Sequence, residues 1–172
     1  MRYPQPPTLW ITQWRIGAFG GDDGPMRSPQ STPPLETATD PIHSAADMHH
    51  RWRALMGPLG FAERVLWVGF VGPDQRMLKL LVDLARPARA DTALTDGLME
   101  ELAAVLDEEM APGTTVALLL TGPGHGPVSL LHRQWTAALT TSAAAHGVPL
   151  QPIFSANNHD LVEVDPTARQ AG

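Results

Sequence analysis

The stretch Thr114–Pro127, T-T-V-A-L-L-L-T-G-P-G-H-G-P, decides how the rest of the chain is read. Its first eight residues are an apolar run of strand length with threonines only at the ends, the mark of a buried strand. Three glycines and two prolines then follow within six residues, which ends the strand in a tight loop. Ser129 stands where a helix would be capped, and Leu131, Trp135, Ala138, Ser142 and Ala145 recur on one helical face, closed by His146-Gly147. Strand, Gly-rich loop and helix in that order are a building unit of α/β proteins.

Working outward, the segment before this unit predicts a second amphipathic helix through Leu94, Leu98, Leu102, Val105 and Leu106, ended by Pro112-Gly113. Its outer side holds Asp96, Glu100, Glu101, Asp107, Glu108 and Glu109, a solvated acidic face. Upstream of it, Val65–Val71 (V-L-W-V-G-F-V) and Met77–Val82 flank the turn Gly72-Pro73-Asp74-Gln75 and predict a hairpin. A further helix is signalled by Ser44-Ala-Ala-Asp47, which resembles a capping box, and by Met48, Trp52, Leu55, Met56 and Leu59 at helical spacing. Gly57-Pro58 stops it, and its other face presents His49, His50, Arg51 and Arg53 as a basic patch. Downstream, Val148–Phe154 and Leu161–Val164 predict two short strands around the polar turn Asn157–Asp160. The order α-β-β-α-β-α-β-β implies an α/β domain, a mixed β-sheet flanked by helices, over residues 44–165.

The flanks read differently. Residues 1–46 hold 8 of the 17 prolines, and Gly20–Asp40 has almost nothing apolar, so residues 1–43 are expected to be a flexible N-terminal arm. Leu9, Trp10, Ile11, Trp14, Ile16 and Phe19 form an apolar anchor within that arm. It docks on its own domain or binds a protein partner, since a tryptophan pair left in water is a costly patch. Residues 166–172 are a short tail.

Composition excludes several function classes. A net charge of −6 without a Lys/Arg cluster argues against a nucleic-acid partner. The absence of cysteine removes thiol nucleophiles, disulfide scaffolds and Cys-based zinc sites. No apolar run approaches the roughly 20 residues of a bilayer span, and no signal peptide is legible, so no membrane association and a cytoplasmic location are expected.

Three constellations bear on chemistry. The loop Gly122–Gly126, feeding a helix N-terminus, is where backbone N–H groups gather around anions or nucleotides, although Pro123 and Pro127 lack that donor and no Walker lysine follows. His125, His132, His159 and Asp160 would converge on a metal if the last turn folded back over this loop, but no pair has a recognised ligand spacing. Ser129 and His132 are three apart on one helix, yet a cap serine uses its oxygen on backbone N–H groups, and no strained nucleophile elbow is present.

The succession Val65–Leu81, Thr114–Thr121, the Gly/Pro loop, Ser129, the Ala-rich helix, Gly147-Val148-Pro149-Leu150 and the closing hairpin resembles the JAMM/MPN domain in its bacterial RadC-like form. The resemblance implies a zinc peptidase site, with Pro123 and Ser129 as retained motif positions. It also sets Leu120 and Gly122 where the two zinc histidines belong, His132 in place of the motif aspartate, and Glu63 close to the catalytic glutamate. Leucine and glycine offer zinc no side-chain ligand, so the implied peptidase chemistry is absent.

These readings converge on a non-catalytic protein-interaction or scaffolding domain. It has no catalytic residue and no cofactor, a protein partner at Trp10, Trp14, His49, His50, Arg51 and Arg53, and room for homo-oligomers. The alternatives are a metal-dependent hydrolase with a site rebuilt from His125, His132 and His159, and anion or nucleotide binding at Gly122–Gly126.

Overall fold

The computed structural model describes residues 40–126 and 128–165. Within them the chain forms α1 (Ala45–Met56), β1 (Val65–Val71), β2 (Met77–Ala85), α2 (Thr92–Glu108), β3 (Thr115–Thr121), α3 (Leu130–His146), β4 (Phe154–Ala156) and β5 (Leu161–Glu163). This is an α/β domain with the helices and strands in the order the sequence predicts. The strands make one mixed sheet in the order β2-β1-β3-β4-β5. All neighbours are antiparallel except β3 and β4, which run parallel because α3 carries the chain back across the sheet between them.

β3 is apolar throughout because both of its faces are covered. On one side Val116, Leu118 and Leu120 join Leu66, Val68 and Phe70 of β1 beneath Met99, Leu102, Trp135 and Leu139 of α2 and α3. On the other, Ala117 and Leu119 meet Phe154, Leu161, Met48 and Trp52, so α1 covers the opposite face. Packing begins before the first helix. Ile42 is 2% exposed, and its N–H donates to the Gln75 carbonyl at 2.7 Å.

The local signals act as read. Ser44 Oγ accepts from Asp47 N at 3.1 Å, and Asp47 reaches back to accept from His43 N at 2.9 Å. That second bond, from the residue before the cap, is the largest cause holding the exposed Asp47 carboxyl below its ordinary range. The hairpin turn closes with Gln75 N donating to Gly72 O at 2.9 Å and Gly72 N to Arg76 O at 2.8 Å.

Three elements differ from expectation. Val148–Phe154 is not a strand: only Phe154–Ala156 is, preceded by a single bridge from Leu150 to Val116. Pro149 and Pro152 lack the N–H that a continuous ladder needs. β2 runs on past Val82 to Ala85, because β1 offers it partners as far as Val65. α3 buries Trp135, Thr136, Leu139, Ser142 and Ala143, while Ala145 is exposed. Its run of small residues leaves the packing face to be chosen by α2, whose Thr95 Oγ1 meets Ser142 Oγ at 3.0 Å and whose Asp96 Oδ1 accepts from it at 2.5 Å.

Candidate functional site: an arginine-lined pocket at the end of the parallel strands

β3 and β4 end side by side, with Thr121 opposite Ala156. The start of β1 and the end of β2 lie at the same margin, where Val65 pairs with Thr121 and with Ala85. A crevice beyond the carboxyl ends of parallel strands, facing a helix N-terminus, is the usual ligand position in α/β sheets. Here it is a cavity of about 230 Å³ lined by Arg64, Arg86, Gly122, His132, Ser155 and Asp160 among others. The final turn folds back over the Gly/Pro loop to wall it. Asn157 Nδ2 donates to Gly126 O at 2.9 Å, and Asn158 N donates to Gly124 O at 3.1 Å. Gly124 and Gly126 hold φ of 140° and 89°, values an L side chain resists, which is why this loop is written with glycine.

The floor is built from three elements. Arg86 follows β2 and is 7% exposed. Its Nη2 donates to Thr121 O at 2.9 Å and to His132 Nε2 at 2.9 Å, and its Nε lies 3.4 Å from Val65 O. The guanidinium carbon stands 5.6 Å from the centre of the Trp135 ring. Arginine has no acceptor, so His132 Nε2 must be the acceptor of that bond, and the ring proton resides on Nδ1. Nδ1–H therefore donates to Ser155 Oγ, its close neighbour. Burial and then the positive charges of Arg86 and Arg64 push His132 down to about 4, so it is neutral at physiological pH. Burial, followed by the nearby charge of Arg64, pushes Arg86 down to about 10.

The hydrogen bonds engage Nε and both Nη2 protons of Arg86. The Nη1 pair, the remaining edge of a five-donor group, has no protein partner among the described residues. Neither Arg86 nor Arg64 forms a salt bridge among the described residues. The Asp160 carboxylate lines the rim without pairing to either arginine.

Most of the sequence candidates gather at this pocket, but not as a metal site. His132 and the loop Gly122–Gly126 belong to the pocket, as does Asp160. His125 lines the pocket and meets His159, which is not in the lining, with ring centres 4.5 Å apart and the rings tilted by 43°. His132 is tied to Arg86 and Ser155, and among the described residues no three His, Asp or Glu side chains sit close enough to hold a metal ion. Ser129 caps α3, its Oγ accepting from His132 N at 3.2 Å. Glu63 is exposed and outside the pocket lining, whereas its neighbour Arg64 is inside it.

The basic face of α1 needs correcting as an open surface. Arg51 is 2% exposed, and its guanidinium donates to the Asp40 carbonyl at 2.8 Å. His49 is half-buried, with Nε2 2.7 Å from Leu161 O. Arg53 is half-buried too, which leaves His50 exposed. Both helix faces are used because the segment before α1 and β5 close over the side that periodicity assigns to solvent. Trp10 and Trp14 lie outside the described residues.

Sequence reasoning missed Arg64, Arg86 and Ser155. A signal for the arginines was available: each stands one residue outside its hairpin strand, and the hairpin register aligns them, Arg86 N donating to Arg64 O at 3.1 Å. Ser155 has no comparable signature. Comparison with known proteins gives no match to a family model, to a curated protein or to a solved structure. Among the described residues no helix is long and apolar enough to cross a membrane.

Proposed function

We propose that the domain is a non-catalytic binding module whose pocket takes the anionic head group of a partner molecule. The observation that carries this is Arg86, a buried residue lining the cavity, with no carboxylate paired to it and no protein partner for its Nη1 among the described residues. Burying a cation without a counter-charge costs several kcal/mol. An oxoanion seated between Arg86, Arg64 and the N-terminal end of α3 would offset that cost with charge-assisted hydrogen bonds. A cavity of about 230 Å³ has room for a phosphate, sulfate or carboxylate group.

The resemblance to the JAMM/MPN fold is compatible with this reading. The positions it assigns to the metal, Gly122 and His132, do line the pocket. The residues do not fit zinc: Leu120 is fully buried and apolar, Gly122 has no side chain, and the His132 lone pair is taken by Arg86. Two arginines replace the negative charge that a dication needs. A serine hydrolase is equally unsupported, because its imidazole must accept the serine proton, whereas His132 donates to Ser155.

The test is thermal unfolding of the full chain with inorganic phosphate or sulfate, at ionic strength held constant with chloride. Phosphate at 100 times its Kd should add about 2.7 kcal/mol of stability by mass action. Arg86→Met and Arg64→Ser should each remove that response; Arg64 is exposed, so its variant is not compromised in folding. No response in the parent chain, or an undiminished one in Arg64→Ser, would sink the proposal.

A further inference from the structure

β2 is an edge strand of nine residues, M77-L-K-L-L-V-D-L-A85, with no strand paired on the side away from β1 among the described residues. Long, apolar, unpaired edges are templates for pairing with another chain, and proteins ordinarily blunt them. This one reads as a chemical palindrome about Leu81. Its two charges, Lys79 and Asp83, have opposite sign and stand two residues either side of the centre, and every other residue is apolar. Lys79 is the only lysine in the chain.

The backbone supports the pattern in the half from Leu81 to Ala85. Arg86 N donates to Arg64 O, and the register continues through Leu66↔Leu84 and Val68↔Val82. Even-numbered residues in this half of β2 therefore direct their backbone groups to β1, and Leu81, Asp83 and Ala85 present theirs to the open edge. We propose that this edge pairs antiparallel with β2 of a second copy about a two-fold axis at Leu81, setting each Lys79 against the other copy's Asp83. The same register puts Leu80 against Val82 and Leu78 against Leu84. It covers Leu78, which is 38% exposed and one of three large apolar side chains left exposed among the described residues. Apolar meets apolar and cation meets anion at every position, whereas a parallel arrangement would set lysine against lysine. The ladder irregularity places Leu78, Lys79 and Leu80 opposite the single residue Phe70. Lys79 sits in this bulge, and its four-carbon stem gives it the reach to meet a carboxylate across the axis. Both charged residues are exposed, and neither forms a salt bridge among the described residues.

The test is the molecular mass of the full chain by sedimentation equilibrium over the micromolar range. A reversible dimer is expected. Lys79→Asp or Asp83→Lys alone sets like charges opposite each other at both ends of the pairing and should weaken the dimer about tenfold, while the double reversal should return it to within about threefold of the parent. A monomeric parent, single reversals that leave the dimer unchanged, or a double reversal that fails to restore it would each overturn the proposal. The outcome is independent of the pocket, since neither residue lines it.

Discussion

Arg86 and His132 hold each other in place through one hydrogen bond, and burial acts on the charge state of both. Burial, and then the charge of the guanidinium 2.9 Å away, pushes His132 from the ordinary 6.5 down to about 4. Below pH 6.5 the unfolded chain takes up a proton that the folded chain refuses. The contribution is therefore fully present above pH 6.5, and is lost as the pH falls through about 4. Thermal melts between those limits should show stability falling with acid, with a shallower fall in His132→Gln; parallel curves for the two proteins would contradict this. At the same scale, a methyl group built on Gly122 would lie 3.5 Å from Arg86 Nη2 and 3.9 Å from His132 Nε2, in ordinary contact and without clash. Gly122→Ala should fold with little change in melting temperature and lose the stabilisation by phosphate. A retained phosphate response would place the anion elsewhere.

Among the elements, α3 has the largest effect on the site. Trp135 is fully buried, its Nε1 donates to Ala88 O at 3.1 Å, and its ring backs the Arg86 guanidinium. Trp135→Ala should cost roughly 3–5 kcal/mol in urea unfolding; a loss below about 1 kcal/mol would mean that the helix does not pack on the sheet as described. α2 ends with the wrong charge, carrying Glu108 in its last turn and Glu109 as its C-cap, with no basic residue there. Reversing one, as Glu109→Lys, should add about 0.3–1 kcal/mol at low salt through the helix dipole, and the gain should shrink as salt is raised.

On the scale of the whole molecule, the folded unit extends upstream of its first helix. Ile42 is buried among Met48, Trp52 and Val71, and the Asp40 carbonyl receives the Arg51 guanidinium. A chain beginning at Ser44 should be less stable than one beginning at Asp40 by about 1.5–3 kcal/mol, the worth of burying one large aliphatic side chain. Equal denaturant midpoints would mean that these residues are dispensable.

The sequence by itself determined the order of helices and strands, the caps at Ser44 and Ser129, the hairpin, and the covered strand β3. Each depends on neighbours a few residues away, where turn chemistry and hydrophobic period act directly. It overreached at Val148–Phe154, where apolar content outweighed two prolines, and at α1, where periodicity implied one wet face. Only the tertiary structure decided the site. Arg86 meets Thr121 and His132 across 35 and 46 residues, and His132 meets Ser155 across 23. No periodicity reports contacts of that range. An arginine beside a proline looks like loop until the sheet margin closes around it, and its missing counter-charge is visible only once every neighbour is in place.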